Sequence, residues 1–579
     1  MKAYLGLPFV WHGGDLAMQK ILRILIIVAM LITSYLLVLA WRDDYITGGK
    51  PQPPTATAPT AVSDVPAGRG TANPTSDVPT ASNAPITSTQ TSGSAQQLIE
   101  VQTDKYDIRI NPMGGDVVYA ALRDEAATLD NAQPFVLLQD DSNRVYVAQS
   151  GLVGRDGIDG GTTRAPYSTP RYRYQMGAQD KTLVVPLTYQ KDGVTISKTY
   201  TFTQGQYPIQ VAYNINNTSR QTWQGQMYAQ LKRDNSKDPG LADKGAISMA
   251  TYLGGAWGTP EKPYNKLKFS NFDENRLNVT TQQGWVAIVQ HYFLSAWVPH
   301  GYSANFYTRS VGNDHIIGLM SSPVEVAPAK QLTLTTTLYA GPKDTHVLRP
   351  IAEGLDKTVD YGVLWPISKF LFWVLESLYK VIGNWGWSII ALTLLVKLAL
   401  LPISNKSYYS MAKMRAIAPR LQALKEEYGD DRMRMSQEMM RIYKEEQVNP
   451  LAGCLPVFMQ MPIFLALYWV LVESVQLRHA PWIGWIHDLS SMDPYFILPL
   501  CMGLAMFVQQ SLNPQPTDPM QARVMKFMPI IFTAFMLFFP AGLVLYWTVN
   551  NLFSMVQQYL INKQVDKQQA AKDAARHVV

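Results

Sequence analysis

Apolar residues in this chain come in two textures. From about Leu98 to Gly341 they alternate with polar ones, as in YDIRINP, KTLVVPLTY, VTISKTYTFT, PIQVAYNINN and QLTLTTTLYAG, with Gly, Asn and Asp turns between. Period-two alternation rich in β-branched and aromatic residues predicts strand after strand, an all-β sandwich over 98–345. Elsewhere the apolar residues run almost unbroken. NWGWSIIALTLLVKLALLPIS, residues 384–404, is long enough to cross hydrocarbon as a helix, with Trp385 and Trp387 at one interface and Pro402 ending the run at the other. Further runs occupy Leu455 to Val475, Tyr495 to Gln510, Phe527 to Phe539 and Leu543 to Ile561. Near the start, MQKILRILIIVAMLITSYLLVLAWRDDY has a basic head, an apolar run too long for a usual signal-peptide core, and no clear cleavage site, so it predicts a retained span.

This pattern divides the chain into a first span at 18–42, a linker at 43–97, the β domain at 98–345, and a linker with an amphipathic helix at 346–383. A second span at 384–403 and a charged helical hairpin at 404–449 follow. The third span is 450–475, a loop 476–494, the fourth span 495–511, and a loop 512–526. The fifth and sixth spans, 527–540 and 541–561, are separated by Phe539-Pro540-Ala541-Gly542, and a tail covers 562–579. Residues 1–17 fit no part of this logic and read as an N-terminal extension, with Met18 an alternative initiator. The linker is nearly all Pro, Thr, Ala, Ser, Gly and Asn, which predicts disorder. In 361–382, Leu364, Phe370, Leu371, Val374, Leu378 and Val381 form a helical stripe, which suits a helix along the membrane surface or one buried against the β domain. In the hairpin, Met414, Leu421, Met439 and Tyr443 recur at helical spacing, as packing or as a partner surface, and Pro419 is expected to kink or break the first helix.

Charge sets the orientation. Basic residues concentrate before the first run (Lys20, Arg23), in 404–449, in 512–526 (Arg523, Lys526) and in the tail (Lys563, Lys567, Lys572, Arg576). The positive-inside rule puts all four in the cytoplasm and the β domain outside, and six spans satisfy every assignment. The net charge of +6 is spread over both signs, so nucleic acid is not indicated as a specific ligand. Both cysteines, Cys454 and Cys501, fall in apolar runs, which leaves the β domain to a packed core rather than disulfides.

One charge lies inside the second span. Lys397 has Thr393 one turn earlier on its face, and the only acidic residue in a span after 385, Glu473, is placed near the opposite membrane face. Either the lysine stem snorkels to the Pro402 end, or the ammonium faces a water-filled space between helices. No phosphate-binding G-x-x-x-x-G-K-[ST] and no H-E-x-x-H occurs, and no span holds a histidine. His291, His300 and His315 lie in the β domain without a carboxylate motif and read as structural; a tethered sugar-processing enzyme is the rival reading, and a transporter a second. Neither a catalytic residue, a metal site nor a cofactor site is assigned.

The strings GNWGWSII, SMAKMRAIAPRLQALKEEYGDDR, SQEMMRIYKEEQVNPLAGCLPVFMQMPIFLALYW, WIHDLSSMDPYFILPLCMG and FMPIIFTAFMLFFPAGLVLYWTVNN closely resemble the Oxa/Alb/YidC family of membrane protein insertases, in its Gram-negative form with a large periplasmic domain. GGDVVYA, QPFVLLQ, GLVGRDG and GWVAIVQHYFLSAWVPH extend the resemblance through the β domain. It implies a multi-domain membrane protein of the bacterial inner membrane: six α-helical spans, five of them an insertase core, and a periplasmic β-supersandwich of the kind shared with sugar mutarotases. It also implies a hydrophilic groove open to the cytoplasm, carrying one positive residue, usually arginine and here Lys397. Substrate-contacting positions fall on Thr393, Phe464, Met502, Phe535, Tyr546 and Trp547, where the family more often has a second tyrosine in place of Trp547, and Gln460 resembles a groove-lining polar residue. The implied partners are nascent membrane proteins, the Sec translocon, membrane lipids and, as further candidates, the ribosome and the signal recognition particle receptor.

Overall fold

The computed structural model describes residues 78–79, 97–129, 133–160, 164–239, 252–428, 431–446, 448, 455–513 and 519–577. The first predicted span and, apart from Val78, Pro79 and Gln97, the linker lie outside the described residues.

Among the described residues the alternating texture folds into two sheets of eleven and eight strands. The first runs β13 (Asn278–Thr281), β16 (Ala304–Val311), β17 (Asp314–Ser321), β10 (Trp223–Arg233), β5 (Val145–Val153), β4 (Pro134–Asp140), β3 (Asp116–Ala126), β2 (Tyr106–Asn111), β1 (Ile99–Gln102) and β6 (Arg173–Gln175), with β18 (Val324–Val326) beside β10. The second runs β12 (Asn265–Leu267), β11 (Gly254–Gly258), β14 (Trp285–Val289), β15 (Phe293–His300), β19 (Lys330–Pro342), β9 (Ile209–Asn217), β8 (Val194–Thr203) and β7 (Thr182–Lys191). Most pairings are antiparallel, and β1 with β6 is parallel. In β8 and β9 every second residue is buried, so the alternation seen in sequence maps directly onto an inner face. In β14 all five residues are buried, and there alternation disappears.

One charge sits on that inner face. Lys198 of β8 reaches across to the other sheet and donates to the carbonyls of Gly114, Gly115 and Ser150 at 2.9, 2.8 and 3.1 Å. Arg164 pairs with Asp116 and lies 3.6 Å from Asp159. Burial holds the Lys198 ammonium down to about 7.

A helical turn at Thr345–Leu348 leads out of the sandwich to α1 (Trp365–Ile382). A helix covers most of the stretch expected to form one, but the residues it buries are not the expected stripe. Ser368, Leu371, Phe372 and Leu375 are buried, whereas Trp365, Phe370, Trp373 and Val381 are exposed. The buried side meets other helices, with Ser368 Oγ donating to the Ala466 carbonyl at 3.1 Å. The exposed side is aromatic, so the helix has two apolar faces rather than one. Gly383, at φ 74°, closes α1 by donating its N–H to the Tyr379 carbonyl, a left-handed stop that glycine alone adopts freely.

Asn384 then caps α2 (Trp385–Glu427), its side chain accepting from the Trp387 N–H at 3.1 Å. This helix corrects one expectation and narrows another. Pro402 does not end it, and of the kink or break expected at Pro419 there is no break: 43 residues run through both. A proline removes one ladder bond and costs about 3 kcal/mol, which flanking turns with good partners can offset. Beyond Pro402, Tyr408 and Ala412 are buried; around Pro419, Ile417 and Leu421 pack with Ile442 and Val448. Asp431 caps α3 (Arg432–Glu445), which returns alongside, with Met414, Met439 and Tyr443 against the same small cluster. The methionine spacing is therefore at least partly hairpin packing.

The rest comprises α4 (Leu455–Glu473), α5 (Ile497–Leu512), α6 (Pro519–Met536) and α7 (Ala541–His577). The last two differ from expectation, α6 at both ends, stopping at Met536 rather than 540, and α7 at its far end. α6 begins eight residues before Phe527, and α7 continues through the predicted tail, whose Lys, Gln and Ala favour helix and which contains no Gly or Pro. By length and composition α2 is the one described helix able to cross a bilayer; Met459–Glu473 and Ile497–Leu512 are shorter apolar helices.

A single apolar core joins sheets and helices, from Ile99 through Trp285 to Leu467 and Tyr546. Polar contacts clamp the junction at the end of α4. His291 Nε2 lies 2.8 Å from the Val472 carbonyl, and Lys343 donates to Glu473 at 2.8 Å in a pair with both side chains buried. Arg478 donates to Glu125 and to the Ala126 and Ala127 carbonyls while lying 5.4 Å from the centres of the Phe135 and Phe293 rings. Burial raises the Glu125 carboxyl and lowers the Arg478 guanidinium. The acid that sequence placed far from Lys397 thus has its own cation.

Candidate functional site

Lys397 points into the bundle. Only 6% of it is exposed, and its ammonium donates to Ser554 Oγ of α7 at 2.7 Å. The Ser554 hydroxyl in turn donates a hydrogen bond to the Asn550 carbonyl at 2.8 Å. Among the described residues no carboxylate comes within ion-pair distance of Lys397. A cavity of about 10 Å³ opens beside it, lined by Val396, Leu400, Ile403, Ser404, Met459 and Gln460. That volume admits roughly one water. The snorkelling alternative predicts an exposed amine, and the burial opposes it.

The other predicted residues divide. Gln460 of α4 reaches α7, donating to Tyr546 Oη at 3.3 Å and to Asn550 Oδ1. Phe464 and Phe532 hold Trp547 edge-on, with ring centres 5.1 and 5.2 Å away. These residues, with Lys397, form one neighbourhood where α2, α4 and α7 meet and Phe532 of α6 joins them. Thr393 is fully buried and spends its hydroxyl on the Ile389 carbonyl of its own helix, at 2.7 Å. Met502 is fully buried in α5, and Phe535 is half exposed, tilted against Phe539. Neither touches the cavity beside Lys397.

Sequence reasoning missed the most regular feature of the site. Along α7 a polar ladder is buried: Asn550, Asn551, Ser554, Gln557, Gln558 and Asn562. Gln557 donates to Asn405 of α2 and Gln558 to Asn513 after α5, each at 2.7 Å. The Trp547 Nε1, Asn551 Nδ2 and the Gln557 and Gln558 Oε1 atoms are buried with no partner among the described residues. A polar residue every three or four positions within an apolar run was the available signal. α6 bounds this region loosely. Ile530, Ile531 and Phe535 are exposed, and the helix approaches α5 where Gly503 leaves room for Thr533, which a Cβ would meet at 2.1 Å.

The family model described as YidC periplasmic domain matches residues 98–374, and that described as 60Kd inner membrane protein matches 377–569. The membrane protein insertase YidC of Stutzerimonas stutzeri is 49% identical over 560 residues, covering 95% of this chain and 99% of that protein. Its counterpart from Azotobacter vinelandii is 49% identical over 558 residues, with the same coverage. Among solved structures, an active YidC insertase with its first transmembrane domain resolved shares 16% identity and a TM-score of 0.36, over 80% of this chain and 92% of the other.

Proposed function

The chain belongs to the YidC family of membrane protein insertases of the inner membrane, and from that premise we propose that Lys397 and the α7 ladder receive the polar tail of a nascent membrane protein. The carrying observation is the ammonium's poverty of partners. It is buried, holds one hydroxyl, and has no carboxylate in reach among the described residues. An ammonium has three donors, so two remain for water or for an acidic side chain of the client.

Six spans cross the inner membrane with both termini cytoplasmic and the β domain periplasmic, the orientation that the basic segments favour. A client's hydrophobic segment arrives from the cytoplasm, first touching the 404–449 hairpin. Its short outer tail meets Lys397 and the buried amides, which replace part of the water that the tail gives up. The polar path through lipid is shortened by that much. The resting cavity admits about one water, so the client itself parts the helices. α6, which exposes much of its surface, is the element that yields. The segment leaves between α4 and α6, where Leu465 and Phe535 are exposed, and burial of its own apolar surface in lipid drives release. Gln460, Phe464, Tyr546 and Trp547 line the path, and Thr393 and Met502 shape it from behind. No nucleotide hydrolysis enters. The Sec translocon, the ribosome and the signal recognition particle receptor are partners for delivery and hand-over.

Insertion of a client with a short acidic tail, measured by protease protection in vesicles, tests the charge. Lys397→Ala lowers the yield about tenfold and Lys397→Arg leaves it near the unmodified level. Equal loss in both variants means that size, not charge, matters, and the reading fails.

A further inference from the structure

Besides Gln97 at its end, the described residues of the linker are Val78 and Pro79, and both of these are buried. Val78, 5% exposed, packs with Val153 and Tyr228, and Met320 closes the cluster. Its carbonyl accepts from Arg309 Nη1 at 3.3 Å. These four residues come from four consecutive strands, β5, β10, β17 and β16, and register puts them on one face. Tyr228 lies opposite Met320, Val153 opposite Gln226, and Arg309 opposite Ile316. Leu152, Met227 and Leu319 belong to the neighbouring positions and point into the sandwich core. The Val78 site is therefore a separate platform on the outer face of the first sheet. The Tyr228 hydroxyl there is buried and has no hydrogen-bond partner among the described residues.

We propose that this platform is a peptide-docking site for an extended Asp-Val-Pro segment, and that its occupant is the chain's own linker. The valine fills the apolar floor and the arginine takes the backbone carbonyl. Proline suits the position because it has no N–H to satisfy and is already extended. In the sequence an acid precedes the valine, opposite in charge to the arginine. Composition points the same way. In a linker almost without large apolar residues, Ser-Asp-Val-Pro occurs twice, at 63–66 and 76–79, so this tetrapeptide recurs where low-complexity chain does not require it. For the disordered linker that composition predicts, anchoring at Val78 shortens the tether from about 55 residues to about 35, and its root-mean-square reach from about 40 Å to about 33 Å. The β domain then holds its own leash.

Disulfide trapping in the full-length chain, with Cys454 and Cys501 changed to Ser, tests this. A Val78→Cys, Met320→Cys pair should close at least tenfold faster than a Ser88→Cys, Met320→Cys pair. Arg309→Gln or Asp77→Lys should bring the first rate toward the second, with the melting temperature unchanged. Equal rates for the two pairs overturn the proposal, as does indifference to both Arg309→Gln and Asp77→Lys. Cross-links found between chains rather than within one overturn the choice of occupant. The insertion assay with Lys397 variants is independent of all these outcomes.

Discussion

The two halves of the molecule each bury an ammonium group, and they treat it in opposite ways. In the β sandwich Lys198 is fully enclosed and uses all three donors on backbone carbonyls, with the Tyr200 and Tyr213 rings each 5.3 Å away. In the helical region Lys397 has, among the described residues, one hydroxyl and a cavity the size of a water. A saturated buried charge is structural, because every neighbour is already committed to it. An unsaturated one keeps an affinity that a passing ligand can use. The difference lies in the coordination, not in the residue type or in the depth of burial.

The largest expected effect breaks the comparison at Lys198. Lys198→Met takes one donor from each of the Gly114, Gly115 and Ser150 carbonyls, leaving Arg164 on the first and third and Tyr200 on the second, and removes a cation beside Asp116 from a buried, hydrogen-bonded charge set. Breaking such a set costs about 3–5 kcal/mol. For a domain of this size that is roughly a 10 °C fall in melting temperature. Calorimetry of the full-length protein measures it. A loss as small as that expected of a surface lysine removes the distinction between the two sites.

A smaller effect comes from pH. The Lys198 ammonium is held to about 7 in the folded protein, against an ordinary value of 10.5. Above pH 7 the unfolded chain therefore keeps a proton that the folded one has released. Raising the pH then favours the folded state, by about 1–2 kcal/mol between pH 7 and 8.5. Unfolding followed at several pH values shows that upward slope in the unmodified chain and loses it in Lys198→Met. A slope shared by both proteins belongs to other groups.

Sequence made the β domain legible through alternation, which holds wherever one face of a strand is buried, as in β8 and β9. It fails in β14, where both faces are covered. Lys397 was legible because an isolated charge in an apolar run has few explanations. The polar ladder of α7 was equally present in the letters but is diluted among Leu, Val and Phe, and only the helical period collects it on one side. The Lys343–Glu473 pair was not legible, since nothing local to either residue points across 130 positions. The persistence of α2 through two prolines was hidden for a related reason. Local propensity reports the cost of a proline, and the packing that offsets it comes from the distant Ile442 and Val448.

The smallest expected effect sharpens the comparison at Ser554. If Lys397 is available to clients, its one hydrogen bond is a resting contact that the client replaces. Ser554→Ala removes that contact and the bond to the Asn550 carbonyl, both within one turn of the polar ladder. Neighbouring amides and water can take the freed ammonium, so stability falls by about 1 kcal/mol or less. Insertion of a short-tailed client stays within about twofold of the unmodified level, measured in the same protease-protection assay. The contrast with Lys198 is then complete, because removing a saturated ammonium is costly and removing the one described partner of an unsaturated one is not. A collapse of insertion in Ser554→Ala as deep as that in Lys397→Ala has the opposite meaning. The hydroxyl then positions the charge, and both ammonium groups are held by their surroundings in the same way.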